Sequence, residues 1–325
     1  MPAEIIDLFC GIGGLTRGLM DSGFNVIAGF DIDPTCQYTY EHNNNVPYHM
    51  QNIREIHAAD LNELYTEDAI RILVGCAPCQ PFSQMRFKLG EANEHDEKYN
   101  LLLEYGRLIE ELHPTIISME NVPQIKKTEI YMQFIQMLQD NGYYFSEKVV
   151  YCPDYGIPQS RRRFVLIGSL LGPIELIAPT HHREDVSIRN FIDHLPHIEA
   201  GGVDPNDALH RSASLSEINL RRIRASRPGG TWRDWPEELR CPCHRKSSGK
   251  TYSSVYGRMS WDRIGPTITT QFYSFGTGRY GHPEQDRALS LREGAMLQTF
   301  PQDYDFIDPN REFVFRDIAR HIGNG

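Results

Sequence analysis

Cys79 stands between two prolines in the stretch Gly75–Ser83, sequence GCAPCQPFS. The apolar residues 70–74 before it predict a buried strand, and each proline fixes its own φ and biases the preceding residue toward extended backbone. Cys79 is therefore expected on a stiff turn at the carboxyl end of a strand, where open α/β sheets bind ligands. A thiol held there is either a nucleophile or a small buried hydrophobe.

Two further groups of polar residues could assist such a thiol. Glu120 follows the apolar run 115–119, which predicts another strand of the same sheet. Residues 143–151 and 162–168 predict a hairpin with the stretch Gln159–Arg163, sequence QSRRR, at its tip. In a strand Arg161 and Arg163 would face the same way, and paired guanidinium groups suit anionic or carbonyl oxygens. The alternative for adjacent arginines is a solvated edge.

The first 33 residues predict the opening of a nucleotide-binding α/β domain. A strand over 4–9 runs into a glycine turn at 10–14, and a helix follows over about 15–21. The next strand, 25–30, ends at Asp31, where a carboxylate can bond ribose hydroxyls while Ile32 lies against an adenine face. The alternative for Asp31 is a helix cap, with Pro34 as the first helical residue.

These patterns together predict an α/β fold, in which a Rossmann-like domain is joined by a smaller irregular one. Later elements are a helix near 36–42, a strand over 48–53 that ends near Asn52, helices over 101–112 and 130–140, and a helix opened by a Ser290–Glu293 capping box. The polar loop 84–99 directly after Cys79 is long enough to form a lid. Periodicity fades between about 179 and 259.

The charge distribution favours a polyanionic partner. The chain has 325 residues and a net charge of −10. Residues 1–154 carry −13, whereas residues 155–258 carry +5. One arginine-rich segment on an acidic body suggests that nucleic acid docks on one face, the alternative being a solvated asymmetry. Seven cysteines without framework spacing favour a reducing cytoplasm, and neither a signal peptide nor a membrane span is predicted.

The stretch Cys241-Pro242-Cys243-His244 suggests a zinc site. It lacks a clean second pair of ligands, so a plain loop is favoured over zinc and no metal is expected.

Six motifs in this order resemble those of the DNA cytosine-5 methyltransferases of bacterial restriction–modification systems. They are Asp7–Gly14 (DLFCGIGG), Pro78–Ser83 (PCQPFS), Met119–Val122 (MENV), Gln159–Arg163 (QSRRR), Arg292–Pro301 and Ile322–Asn324 (IGN). The resemblance covers nearly the whole chain except the basic middle segment. It implies a catalytic and donor-binding domain over 1–178, a target-recognition domain over 179–270, and a return to the catalytic domain over 271–325.

The resemblance also implies the chemistry. A Cys79 thiolate would add to C6 of a flipped-out cytosine, so that C5 attacks the methyl group of S-adenosylmethionine. Glu120 would bond N3 and the amino group, Arg163 would hold the base carbonyl, and Arg161 would support the Cys79 side of the pocket. The residues implied at the methyl donor are Phe9, Gly11, Ile12, Gly13, Asp31, Ile32, Asn52, Ile53, Pro78, Leu101 and Asn324.

The resemblance implies double-stranded DNA as the partner and a cognate restriction endonuclease as a second partner. It also implies that the protein is a monomer associated with the nucleoid. Two departures stand out: Asp31 replaces a more common glutamate, and the family usually continues past Asn324 with Val-Pro and a helix, so the last motif is expected to be cut short. One rival is a tRNA cytosine-5 methyltransferase, which carries a Cys-Phe-Thr element absent here and typically threonine in place of Ser83. The other is an inactive paralogue, which would have lost the nucleophile or the glutamate.

Overall fold

The computed structural model describes residues 2–78, 100–246, 249 and 254–325. Within them the chain forms two compact units. The first comprises Met1–Tyr151 and Arg162–Ala178, and the second comprises Cys152–Arg161 and Pro179–Gly325. Residues 271–325 thus group with the segment that follows Ala178.

A seven-stranded sheet organises the first unit. Its order is β3-β2-β1-β4-β5-β7-β6, with β1 to β5 parallel and β7 antiparallel to both of its neighbours. The strands are β1 Ala3–Leu8, β2 Asn25–Asp31, β3 Tyr48–Met50, β4 Ile70–Gly75, β5 Ile116–Asn121, β6 Tyr144–Tyr151 and β7 Arg162–Ser169. The α/β class expected from the alternating strand and helix patterns is confirmed.

Among the described residues of the first unit, five α-helices connect these strands. They are α1 Gly14–Asp21, α2 Gln37–Asn44, α3 Ala58–Leu64, α4 Leu101–Leu112 and α5 Glu129–Asp140. The predicted bounds of α4 are confirmed, because its apolar spacing places Leu102, Leu108 and Leu112 on one buried side. Leu73, Ile117 and Phe134 belong to the same continuous apolar core.

Two local expectations are wrong, and one of the two alternatives for Asp31 is excluded. The helix after Asp31 begins at Gln37 and not at Pro34, so Asp31 does not cap it. The third strand stops at Met50, because Asn52 caps a short 3₁₀ turn, Ile53–Glu55. Arg161 precedes β7, which begins at Arg162, so strand alternation does not place Arg161 and Arg163 on one face.

The second unit contains short elements joined by long irregular connections. Its hairpin is β8 Val203–Asp204 and β9 Asp207–Arg211, and its helices are α6 Arg189–Ile192, α7 Glu217–Arg224, α8 Pro242–Arg245, α9 Leu291–Leu297 and α10 Phe315–Asn324. A core built on Trp232, Trp235 and Phe275 holds the arginine-rich part together. In the part of the chain that the structure describes, no helix is both long and apolar enough to cross a bilayer.

Candidate active site

The carboxyl ends of the parallel strands bring four candidate segments to one edge of the sheet. Leu8 at the end of β1 pairs with Gly75 at the end of β4, and Gly75 pairs with Met119 near the end of β5. Asp31 at the end of β2 pairs with Met50. The residues that follow these ends therefore lie at the same edge, where ligands bind in open α/β sheets.

The glycine turn after β1 presents an open backbone surface. Phe9, Gly11 and Gly13 adopt φ values of +60°, +52° and +86°. A Cβ built on Gly11 would meet no atom within 4 Å, so space remains above the turn for a ligand. The glycines allow this left-handed path at little steric cost, whereas Phe9 adopts it despite its side chain.

Asp31 connects the glycine turn to the end of β2. Its Oδ2 accepts a hydrogen bond from the backbone N–H of Gly11 at 2.9 Å, and its Oδ1 accepts one from the N–H of Asp33 at 3.0 Å. Burial raises the pKa of Asp31 above its ordinary value, while these two hydrogen bonds oppose the rise. Each carboxylate oxygen offers about two acceptor sites, so capacity remains for a ligand hydroxyl.

Apolar residues beside Asp31 differ in their exposure. Ile32 is 65% exposed and can offer a flat apolar surface to a ring. Ile12 and Ile53 are 3% and 6% exposed, so a ligand would meet their backbone atoms rather than their side chains. Asn52 accepts a hydrogen bond from the N–H of Arg54 at 3.2 Å through Oδ1, which leaves its amide nitrogen as the donor for an adenine edge.

Sequence reasoning missed a buried polar group beneath the glycine turn. The Thr16 hydroxyl donates to Asp7 Oδ2 at 2.7 Å and lies 3.0 Å from the Tyr40 hydroxyl. Asp7 is 1% exposed, and burial raises its pKa to about 7. The available signal was a carboxylate directly after the apolar residues Ile5 and Ile6, since a carboxylate that is buried there requires a donor partner.

Cys79 and the predicted lid 84–99 lie outside the described residues, whereas the segment leading to Cys79 is described. Asn121 is 1% exposed, and its Nδ2 donates to the Ala77 carbonyl at 3.1 Å. Its Oδ1 accepts from the N–H of Val122 at 2.9 Å. This amide, which sequence reasoning did not single out, joins the end of β4 to the end of β5. Pro78 is half-buried there, as is Leu101 at the start of α4.

Glu120 and Arg163 are brought together across β5 and β7. Arg163 Nε lies 2.6 Å from Glu120 Oε1, and the two side chains are 19% and 35% exposed. A second Arg163 nitrogen, Nη1, donates to the Arg162 carbonyl at 2.9 Å. Partial exposure leaves the pair accessible to a ligand, and the contacts to Glu120 and to the Arg162 carbonyl occupy only some of the five N–H donors of the Arg163 guanidinium.

Arg161 and Asn324 belong to the second unit. The Arg161 guanidinium lies 3.5 Å from the carbonyl oxygens of Ile268 and of Gly325, and Asn324 is the last residue of α10. The motif IGN alone does not predict this helix, because the helix begins earlier, at Phe315, and the motif covers only its last residues.

Buried ion pairs organise the helix that the Ser290 capping box opens. Ser290 Oγ accepts from the N–H of Glu293 at 3.0 Å and the Ser290 N–H donates to Glu293 Oε2 at 2.7 Å, which confirms the box. Arg287 contacts both Glu293 oxygens at 2.7 Å. Burial alone would raise the pKa of Glu293, but Arg287 outweighs it and holds this pKa at about 2. Arg292 pairs with Asp207 in addition.

The Cys241–His244 stretch forms part of the second unit's aromatic packing. His244 is 5% exposed, and its ring stacks on Trp232 with 4.1 Å between ring centroids. Burial lowers the pKa of His244. Among the described residues, Cys241, Cys243 and His244 do not bring three ligand atoms within 4.8 Å of one another.

Comparisons with known proteins agree on one family. Residues 3–325 match the family model for the C-5 cytosine-specific DNA methylases. The Type II methylase M.HgiDII of Herpetosiphon aurantiacus is 51% identical over 328 residues, which cover 100% of this chain and 91% of that protein. The Type II methyltransferase M1.BsuMI of Bacillus subtilis is 30% identical over 99% of this chain and 77% of its own length.

Solved structures share the fold. The Entamoeba histolytica methyltransferase EhMeth superposes with a TM-score of 0.70 at 18% sequence identity, over 100% of this chain and 93% of that one.

Proposed function

This chain belongs to the C-5 cytosine-specific DNA methylase family, and from that premise we propose how its residues divide the catalytic work. The chain is a DNA cytosine-5 methyltransferase of the Type II restriction–modification kind, with S-adenosylmethionine as methyl donor. The observation that carries the proposal is the Glu120–Arg163 pair, which puts a carboxyl group beside a guanidinium. Glu120 directly follows Met119, which pairs with Gly75 at the end of the strand that precedes Cys79 in the sequence.

Cys79 is the nucleophile. C5 of cytosine is a poor nucleophile by itself, and addition of a thiolate at C6 converts the ring to an enamine whose C5 can accept a methyl group. Only the thiolate adds, so the surroundings of Cys79 must favour the ionised sulfur. A base then removes the C5 proton, and the thiolate leaves as the double bond re-forms. This chemistry needs no metal ion.

Glu120 and Arg163 bind the cytosine edge. Glu120 bonds N3 and the exocyclic amino group, and it stabilises the ring by sharing a proton with N3 as charge develops. Arg163 orients that carboxylate through Nε, and its other N–H groups hold the base carbonyl. Arg161 supports the thiolate. The base must leave the duplex to reach these groups, which costs a few kcal/mol.

The turn after β1 and the end of β2 hold the methyl donor. The open surface above Gly11 and the remaining acceptor capacity of Asp31 fit a nucleoside, and the exposed Ile32 side chain fits an adenine face. When bound, S-adenosylmethionine supplies an electrophilic methyl group on a sulfonium. Backbone atoms of the turn orient it, together with the remaining residues of this set: Phe9, Ile12, Gly13, Asn52, Ile53, Pro78, Leu101 and Asn324.

The segment 179–270 binds duplex DNA and selects the target sequence. Its arginines supply the phosphate contacts, and some contact guanine edges. We further propose that the protein is a monomer, that it associates with the nucleoid, and that a cognate restriction endonuclease is its functional partner. The alternatives of a tRNA methyltransferase and an inactive paralogue are not favoured, because the whole chain matches DNA methylases.

A transfer assay with labelled S-adenosylmethionine tests this division of work. Duplex genomic DNA and total tRNA are offered in parallel to the wild type and to Glu120→Gln and Arg163→Lys. We expect label at C5 of cytosine in DNA alone, with single-turnover rates about 100-fold lower in both variants. Glu120→Gln removes the ionisable carboxyl group that shares a proton with N3, and Arg163→Lys keeps the charge but loses the planar set of N–H donors. Transfer to tRNA alone, or variants at the wild-type rate, would overturn the proposal.

A further inference from the structure

Arg107 on α4 contacts the short turn that follows Asn52. Its Nη2 donates to the Ile53 carbonyl at 3.2 Å and to the Ile56 carbonyl at 3.1 Å. Ile53 begins the 3₁₀ turn, and Ile56 directly follows its last residue. A turn this short makes few hydrogen bonds of its own, so side chains from outside it determine how firmly it is held.

The Arg107 guanidinium is itself fixed by two carboxylates on the same helix. Nε donates to Glu104 Oε2 at 2.9 Å, and Nη1 donates to Glu111 Oε1 at 3.3 Å and to Glu111 Oε2 at 3.1 Å. With the two contacts to the turn, all five N–H donors of the guanidinium have partners. Because the guanidinium is planar, the two carboxylates fix its plane and orient Nη2 toward the turn.

The turn lies beside the end of β2, where the proposed nucleoside site is located. The Gln51 N–H donates to the Asp31 carbonyl at 3.0 Å, so the residue before Asn52 is joined to β2. Asn52 caps the turn through Oδ1, and its Nδ2 remains a donor for a ligand. Ile53 is the first residue of the turn, so the described turn offers no acceptor to its N–H. Two adjacent residues thus present N–H donors to a ligand base.

We propose that Arg107 is a positioning residue that holds Asn52 and Ile53 where they bind the adenine ring of the methyl donor. Arg107 fixes the carbonyl of Ile53, the same residue whose N–H is offered to the base. The two donors therefore lie between a bond to β2 on one side and a bond to α4 on the other. The inference rests on the proposed role of Asn52 and Ile53 at the methyl donor.

The test measures the binding of two ligands to the full chain by calorimetry. S-adenosylhomocysteine is the donor without its methyl group. S-inosylhomocysteine differs from it only at the base edge, where N1 carries a hydrogen and a carbonyl replaces the amino group. Each variant is measured at a temperature at which thermal unfolding shows that it is folded without ligand.

Arg107→Lys is the main variant, because it keeps the charge beside the two glutamates and loses the planar set of donors. Arg107→Met is a second variant that removes the charge as well. The matched control is Arg71→Lys, since Arg71 is half-buried like Arg107 but lies at the amino end of β4. Its Nη1 donates to Asn62 Oδ1 at 2.7 Å, away from the carboxyl edge of the sheet.

We expect the wild type to bind S-adenosylhomocysteine at least about tenfold more tightly than S-inosylhomocysteine, because a site that bonds one base edge rejects an edge with a different donor pattern. Arg107→Lys should raise the dissociation constant of S-adenosylhomocysteine about tenfold, the effect of roughly one hydrogen bond to the ligand. That of S-inosylhomocysteine should rise less than about threefold, since this ligand lacks the adenine edge. Arg107→Met should behave as Arg107→Lys does, and Arg71→Lys should match the wild type.

Two results would overturn the inference. The first is binding of S-adenosylhomocysteine by the Arg107 variants at the wild-type affinity. The second is an equal loss of affinity for both ligands, which would indicate a general effect on the fold. Failure of the proposed function is distinguishable, because then the wild type itself binds neither ligand or binds both equally well.

Discussion

Replacing Asn121 should both destabilise the first unit and slow the attack by Cys79. The Asn121 side chain satisfies a buried backbone group, the Ala77 carbonyl at 3.1 Å, and a half-buried one, the Val122 N–H at 2.9 Å. Ala77 lies two residues before Cys79 in the sequence. The amide therefore determines where the chain leaves β4 for the nucleophile.

Two variants separate the two contacts. Asn121→Asp keeps an acceptor for the Val122 N–H and loses the donor to the Ala77 carbonyl. The variant also places a carboxylate at a 1% exposed position against the Ala77 carbonyl oxygen, so the free energy of unfolding should fall by about 3–5 kcal/mol, as for other unpaired buried charges. Asn121→Leu removes both partners without adding a charge, so its loss should be smaller, about 1–3 kcal/mol for the unsatisfied Ala77 carbonyl and less for the half-buried Val122 N–H.

The rate of covalent attack is measured separately from stability. A duplex containing 5-fluorocytosine traps the thiolate adduct in a single turnover, at a temperature where every variant is folded. We expect adduct formation to slow by about 10-fold to 100-fold in both variants, because a displacement of about 1 Å at a reacting group has that effect. DNA affinity should stay near the wild-type value.

Asn62→Asp is the matched control, since Asn62 is exposed and its Oδ1 accepts from Arg71 Nη1 at 2.7 Å, a bond that an aspartate also accepts. It should leave both stability and adduct rate nearly unchanged. The reasoning is refuted if the Asn121 variants form the adduct at the wild-type rate, or if both variants are as stable as the wild type.

Three further predictions concern the nucleophile and two buried carboxylates. Cys79→Ser should abolish methyl transfer while leaving DNA binding largely intact; transfer within about tenfold of wild type would refute the role of the thiolate. Arg287→Met should lower the free energy of unfolding by about 3–5 kcal/mol in urea titrations, since Glu293 becomes an unpaired buried charge. The folded-state pKa of Glu293 is about 2, below its ordinary 4.5. The pair in the wild type should therefore stabilise the fold fully above pH 4.5 and lose that effect as pH falls toward 2. An unchanged urea midpoint in Arg287→Met would contradict the role of the pair in stability. Asp7 has a raised pKa of about 7 against an ordinary 3.8, so its contribution makes the chain less stable as pH rises between these values, and Asp7→Asn should flatten that slope; an unaltered pH–stability profile would contradict the assignment.

The sequence predicted the parts of the fold that depend on local periodicity. The bounds of α4 followed from apolar spacing, and the Ser290–Glu293 capping box followed from two residue types at the right separation. The strand ends carrying Asp31 and Glu120 were found because apolar runs stop at polar residues there. The Glu120–Arg163 contact itself was not derivable from the residues, because it depends on β7 pairing antiparallel to β5.

Long-range polar contacts were the main omissions. Asn121 and Gln159 each bond backbone groups that are distant in sequence, and an amide side chain alone gives no indication of its partner. Asp31 was left between two interpretations, since whether it caps a helix depends on where that helix starts. The helix begins at Gln37, so the Asp31 carboxylate does not cap it and instead accepts a hydrogen bond from the N–H of Gly11 in the glycine turn.

The most direct test of the central claim is to identify the residue that is covalently joined to the substrate base. The wild-type chain is incubated with S-adenosylmethionine and a 5-fluorocytosine duplex, and the trapped complex is digested and mapped by mass spectrometry. The account predicts a single adduct joining Cys79 to the fluorinated base, with the methyl group at C5. An adduct at another cysteine, or methyl transfer to DNA without any adduct, would contradict it.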